Sequence, residues 1–337
     1  MSLKESKCWC GAGSARPFSD HYFQCSSCHT LVSDQIQPAE FYKGADDGDT
    51  LYGRDYWLHH VKELGYPDIY ERSRNDLIER NVYWLRDILK YRLPPGKSLE
   101  LGCCHGGSVH LMRLAGFDAS GAEMSPWLCQ FGRDTFKVPM LCGPIEDLDV
   151  EPGSLDLVAM LDVLEHMPDP VGSMKQIAGL LKDDGMVVIQ TPCCRGYQRS
   201  YGQMQADNER FLLHMKEDEH LYLYNEDSVT GLLREAGFPN CAFEKPIFDY
   251  DMFIFAGKQE LKVNSPEVIA SKLTESTDGR TALALLDLYN SSHGREASDA
   301  TALRSTVRNL QEEIQHIKHS MSWAITKPLR LIGRLLK

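Results

Sequence analysis

The chain is constrained most by an apolar run that ends on an acid, turns through small residues and opens an amphipathic stretch. This is Leu99-Glu100-Leu101-Gly102-Cys103-Cys104-His105-Gly106-Gly107, with Glu123 just over twenty residues beyond Glu100. Gly102 and Gly106 can take backbone angles closed to other residues, so the loop can pass close beneath a ligand. A helix starting near Gly107 would aim its unpaired N–H groups at that ligand. A second strand, Phe117 to Glu123, ends on a carboxylate that can accept both hydroxyls of a ribose. The unit reads as a nucleoside-binding βαβ element. A dinucleotide fingerprint requires glycine where Cys104 stands, which argues against NAD.

Apolar runs of four to seven residues alternate with helical stretches over the following hundred residues, the pattern of a parallel sheet with crossover helices. Glu226 to Glu235 is expected as a helix stopped by Gly237, followed by strands Cys241 to Ile247 and Met252 to Phe255.

The run Glu100 to Gly106 resembles the first motif of class I S-adenosylmethionine-dependent methyltransferases. Three later segments resemble that family in order: Gly143 to Leu148, Ser154 to His166, and Leu180 to Ile189. The resemblance covers roughly 95–258 and implies an α/β, Rossmann-like seven-stranded sheet with helices on both faces. It further implies that Glu100, Gly102, Cys104 and Gly106 line the methionine side of S-adenosyl-L-methionine. Glu123 would hold the ribose with Met124 beside it, Ile145 and Glu146 would cover the adenine, and Asp162 would also contact the cofactor.

Ligands of open α/β sheets bind outside the carboxyl ends of the strands, so chemistry is expected after the fourth strand. Asp162, Glu165 and His166 stand at i, i+3 and i+4, which one helical turn would place on a single face. They can act as acid and base or hold a divalent metal. The trio resembles the metal-binding turn of ubiquinone-pathway O-methyltransferases and of small-RNA 2′-O-methyltransferases, with His220 placed like the further histidine of the RNA enzymes. That resemblance implies Mg²⁺ or another divalent ion at Asp162, Glu165, His166 and His220. An oxygen acceptor must also lose its proton, and His166 or His220 is the expected base. His105 is a weaker candidate. Arg195, Tyr197, Arg199 and Tyr201 suit a lid or an acceptor wall.

Cys8-x-Cys10 and Cys25-x2-Cys28 have the spacing of a closed four-cysteine zinc site. The other seven of the eleven cysteines are scattered as buried thiols would be, and no signal peptide is legible, which favours zinc over disulfides. The ribbon is expected to be structural and to serve as an acceptor-recognition platform. Between it and the sheet, Ile69 to Leu89 reads as one helix with an apolar stripe of Leu77, Ile78, Val82, Leu85, Ile88 and Leu89. The cluster Tyr52, Tyr56 and Trp57 can stack on an acceptor ring or pack against the sheet.

Leu303, Val307, Leu310, Ile314, Ile317 and Met321 form a heptad stripe, a short coiled coil that calls for self-association or a partner enzyme. The segment Ser322 to Lys337 carries four cations and no acid, which suits peripheral contact with an anionic membrane or a partner groove. Its Ser-Trp-x-x-Thr-x-Pro-Leu-Arg pattern resembles tails of bacterial enzymes that build cell-surface polysaccharides. A formal net charge of −12 argues against nucleic acid as the main ligand.

The expected organisation is a zinc ribbon (1–37), a helical lid (38–94), the methyltransferase domain (95–258), and a linker with a helical tail (259–337). In that tail the coiled coil covers about 299–321 and the basic end 322–337. The expected function is cytoplasmic O-methylation of a sugar or glycan intermediate at the inner face of the membrane. Three alternatives stay open: C-methylation of a nucleotide deoxysugar, O-methylation of another small molecule, and a non-catalytic scaffold.

Overall fold

In the computed structural model, residues 8–37, 53–60, 65 and 67–292 are described. The coiled-coil stripe, the basic end and Tyr52 lie outside them. The chain divides into two units, Met1–Leu285 and Leu286–Lys337. In the second unit, the described residues 286–292 are helical.

Three short strands open the first unit: β1 (Ala15–Pro17), β2 (Tyr22–Cys25) and β3 (Leu31–Ser33). A helix covers Ile69–Asp76, passes through a π turn at Leu77–Asn81 and continues as Val82–Tyr91. Asp68 starts it by accepting the Glu71 N–H at 3.0 Å. The expected helix is therefore present, but Ile78 is two-thirds exposed and leaves the apolar stripe.

The main strands are β4 (Lys97–Leu101), β5 (Asp118–Glu123), β6 (Met140–Cys142), β7 (Leu155–Leu161) and β8 (Leu181–Pro192). After the two-residue β9 (Tyr222–Leu223) come β10 (Asn240–Glu244) and β11 (Asp251–Gly257). The large sheet runs β10-β11-β8-β7-β4-β5-β6 and is flanked by helices, the seven-stranded α/β arrangement that the resemblance implies. It is parallel except that β11 is antiparallel to both β8 and β10. Every residue of β7 and β11 is buried, as strands covered on both faces require.

The strand order reverses at β4, whose neighbours are β5 on one side and β7 on the other. Crossovers leave that point in opposite directions and open a crevice at the carboxyl ends of the two strands. Local chemistry fixes the ends of the helices. Ser125 caps Pro126–Phe136, and an Asn225–Ser228 capping box starts Glu226–Glu235. Gly237, at φ +97°, follows the latter helix where the sequence places its stop.

Within 259–337, Pro266–Leu273 is a helix capped by Ser265. The ribbon is joined to the rest of the unit by β3, which pairs antiparallel with β9, Leu31 opposite Leu223 and Val32 opposite Tyr222.

Candidate active site at the carboxyl ends of β4, β5 and β7

A cavity of about 400 Å³ lies at the strand-order reversal. Glu100 and Glu123 both reach its wall, together with Gly102, Cys104, Met124, Ile145, Glu146 and Asp162. Gly106 does not. A Cβ there would lie 3.0 Å from Val138 Cγ2, so this glycine admits close packing between elements and does not line the cavity.

The loop after β4 turns through three left-handed residues: Gly102 (φ +64°), Cys104 (+49°) and Gly106 (+83°). A side chain at Gly102 would strike Val163 Cγ2 at 2.6 Å. Cys104 thus takes the angle that a glycine would take freely, and its N–H donates to Glu123 Oε2 at 3.0 Å. Glu123 Oε1 accepts from the N–H groups of Met124 (2.8 Å) and Ser125 (3.1 Å). Three main-chain donors orient this carboxylate toward the cavity, although burial raises its pKa.

Glu100 is less well satisfied. Its Oε2 is buried and makes no hydrogen bond among the described residues. Burial pushes its carboxyl up to about 8; Ser108 opposes the rise and the Glu123 charge adds to it.

Beyond β7 the backbone does not make the single helical turn expected for Asp162, Glu165 and His166. Asp162 is left-handed (φ +59°), and only Leu164–His166 forms a short 3₁₀ turn. The Asp162 carboxylate is engaged by other partners. Its Oδ1 accepts from Gln190 Nε2 at 3.0 Å and its Oδ2 lies 3.6 Å from Arg80. The ligand atoms of Glu165, His166 and His220 lie within 4.8 Å of one another, and Asp162 does not belong to this metal-capable group.

Both histidines have a defined tautomer. His166 Nδ1 is 2.8 Å from the Glu219 carbonyl, and His220 Nδ1 is 2.7 Å from that of His214. A carbonyl only accepts, so each Nδ1 carries the proton and Nε2 is the basic nitrogen. The rings are 4.8 Å apart, edge to face. Burial lowers both pKa values, that of His220 more strongly, with His166 beside it contributing. Glu165 is buried behind them; desolvation and the Asp162 charge hold its pKa far above the usual carboxylate range, and it accepts a hydrogen bond from Thr191 at 2.9 Å.

The opposite wall was missed in the sequence. Arg72, Asp76, Arg80 and Trp84 line the cavity. They recur every four residues along one helix, a stripe as regular as the apolar one. Asp76 ties the wall together, with Arg72 at 3.3 Å, Arg80 at 3.6 Å and His105 Nε2 at 3.1 Å. His105 is buried in that network and accepts the Gly107 N–H, so it anchors the helix start and does not face solvent. Tyr56 and Trp57 also line the cavity, with the Arg72 guanidinium 5.4 Å from the Trp57 ring centre.

Arg195, Tyr197, Arg199 and Tyr201 lie elsewhere. Arg195 donates to the carbonyls of Asp249 and Asp251, and Arg199 pairs with Asp207 and Glu209. Tyr197 stacks on His29 and Tyr201 meets Phe18, so the insertion packs on the ribbon. Cys8, Cys10, Cys25 and Cys28 do converge, their Sγ atoms within 4.8 Å of one another and all free thiols.

A family model described as a methyltransferase domain matches residues 70–242, just over half of the chain. The chain belongs to this methyltransferase family. Ubiquinone biosynthesis O-methyltransferase of Xanthomonas campestris is 31% identical to it over 105 residues, 29% of this chain and 44% of that protein. The Neisseria meningitidis protein of the same name is 43% identical over 103 residues, 28% of this chain and 42% of that one. The chain spans less than half the length of these curated relatives. Magnesium protoporphyrin IX methyltransferase of Synechocystis, solved with bound S-adenosylhomocysteine, is 16% identical with a TM-score of 0.43. The match covers 63% of this chain and 98% of that one.

Proposed function

We propose that the protein transfers a methyl group from S-adenosylmethionine to a hydroxyl oxygen, and that the acceptor is a sugar or glycan intermediate. One observation carries the O-transfer reading: two buried carboxylates and two imidazoles with proton-bearing Nδ1 atoms share one cavity. The residues present fit the cofactor. Glu100 Oε2, buried and without a partner, suits the cationic methionine end. The oriented Glu123 carboxylate suits the ribose, and Met124, Ile145 and Glu146 can enclose the base. Bound S-adenosylmethionine supplies an electrophilic methyl on a sulfonium.

The protein's own part is to align the acceptor, exclude water and take its proton. His166 or His220 accepts that proton at Nε2, and a lowered pKa keeps each imidazole neutral at pH 7. A second reading has its own support, since the cluster Glu165, His166 and His220 has the donor set and spacing to hold a divalent cation. The ubiquinone-pathway relatives bear the name O-methyltransferase, which favours oxygen over carbon as the acceptor atom. The glycan assignment rests on the sequence pattern from Ser322 onward. Four convergent sulfur donors, a soft set, fit Zn²⁺ at Cys8, Cys10, Cys25 and Cys28.

The test is incubation with methyl-labelled S-adenosylmethionine and fractionated cell-envelope precursors. Label is expected in a glycan fraction, and label confined to protein or RNA refutes the acceptor. Loss of transfer with chelator, restored by Mg²⁺ alone, would favour the metal reading over the histidine base.

Glu100 makes cofactor binding pH-dependent. With its pKa raised to about 8, its carboxyl is protonated at pH 6–7 in the unliganded protein and must ionise to meet a cation. Affinity for S-adenosylhomocysteine, which keeps the ammonium group, should therefore strengthen as pH rises from 6 to 7.5, with a proton released. The same elevation removes stability from the free protein as pH climbs from the ordinary carboxylate range toward 8, so the thermal shift given by ligand should grow over that window. Titration calorimetry in two buffers of different ionisation enthalpy reads the proton. A flat Kd across the window would show that Glu100 does not meet the cation.

A further inference from the structure

The cavity wall contains no residue of 8–37, and the contacts of the ribbon lead instead to the segment that carries His220. It stands directly behind His220. The Tyr22 hydroxyl, buried in β2, donates to the His220 carbonyl at 2.8 Å across 198 positions of sequence. The Ser33 N–H donates to the Leu221 carbonyl at 2.9 Å, and Ser33 Oγ donates to the Glu217 carbonyl at 2.7 Å. On the other side, the Leu221 N–H donates at 2.8 Å to the carbonyl of Glu165, in the turn that carries His166. The segment bearing His220 is thus held between the ribbon and the end of β7.

Packing makes this attachment firm. Cys8, Cys25 and Val32 of the ribbon belong to the same buried cluster as Met160, Leu164 and Ile189 of the large domain. Tyr22 and Leu31 pack with Cys194, Met204 and Phe211. Strands this short cannot build a core alone, so the ribbon and the 220–224 segment order each other.

We propose that Tyr22 is a positioning residue for His220, and that the ribbon forms part of the active site's frame. This rests on the reading of His220 as a proton acceptor. Without the Tyr22 hydroxyl, the buried His220 carbonyl loses that donor, and its peptide is held from one side, through the Leu221 N–H, and can tilt about that bond. Displacement of a reacting group by about 1 Å can cost on the order of 10²-fold in rate, and loss of one bond in a frame that keeps several should cost less.

The test substitutes Tyr22→Phe, which keeps the ring packing and removes one oxygen. Metal content and the Kd for S-adenosylhomocysteine should equal those of the wild type. In histidine-labelled protein, the His220 ring resonance, assigned by its loss in His220→Gln, should shift or broaden. Methyl transfer to the cell-envelope precursor fraction should fall about tenfold, with KM for S-adenosylmethionine unchanged. If Tyr22→Phe does not fold, Ser33→Ala removes the bond to Glu217, three residues before His220, and should disturb the same resonance. An unmoved His220 resonance in the folded variant overturns the positioning role whatever the turnover. If instead His220→Gln keeps full turnover, the proton-acceptor reading fails, while the resonance still decides whether Tyr22 holds His220.

Discussion

Replacing His220 by alanine is expected to slow methyl transfer by about 10²–10⁴-fold, the usual contribution of a positioned general base. Cofactor affinity should change little, because the carboxylates assigned to the cofactor stand on β4 and β5, on other elements of the fold. The carbonyl that accepts from Tyr22 belongs to the main chain and survives the substitution, so the variant tests the imidazole and not the ribbon contact. His166→Ala should cost a comparable factor if the two rings work as a pair, and the double variant should then cost little more than either single one. The pH profile gives an independent check. Both histidine pKa values are lowered by burial, so the acid limb of turnover should lie below 6.5. Single-turnover rates with labelled cofactor measure these effects, and wild-type rates in both single variants would remove histidine from the reaction.

The second large effect is on binding. Glu123→Ala is expected to weaken S-adenosylhomocysteine by roughly 10²-fold or more, since two charge-assisted hydrogen bonds of about 1.5–3 kcal/mol each would be lost. The three N–H groups that this carboxylate accepts, from Cys104, Met124 and Ser125, also lose their partner. The loop should therefore loosen and Tm should drop. Glu123→Gln is not a mild change here. Both carboxylate oxygens already accept from main-chain donors, and an amide offers only one oxygen, so one donor would face an NH₂ group. Calorimetry on both variants checks this, and unchanged affinity in Glu123→Ala would refute the assignment of the ribose to this site.

The first motif was legible because its constraints are local. A strand, a tight loop and a helix start impose glycine or left-handed backbone at fixed offsets, and the βαβ crossover fixes the interval from Glu100 to Glu123. Cys104 obeys this geometry even though it is not glycine. The helix Glu226–Glu235, its stop at Gly237 and the four-cysteine spacing were readable for the same reason.

The end of β7 was read less well. Helical spacing suggested one face for Asp162, Glu165 and His166, but a left-handed Asp162 breaks that turn and sends its carboxylate to Gln190 and Arg80. Sequence periodicity assumes a regular backbone, and functional turns depart from it. The stripe Arg72, Asp76, Arg80 and Trp84 was present in the sequence but could have been any solvated helix face, because only packing decides which face meets the cavity.

By itself, then, the sequence determined the alternation of strands and helices, the two cavity-lining carboxylates and the clustering of the four thiols, all set by short intervals along the chain. The tertiary structure decided which side chains share the cavity, that Asp162 leaves the group formed by Glu165, His166 and His220, and that the ribbon backs His220. These depend on contacts such as Leu31 with Leu223 and Tyr22 with His220, between residues nearly two hundred positions apart. No local pattern encodes such pairings; they arise only when separate apolar faces are buried together in one core.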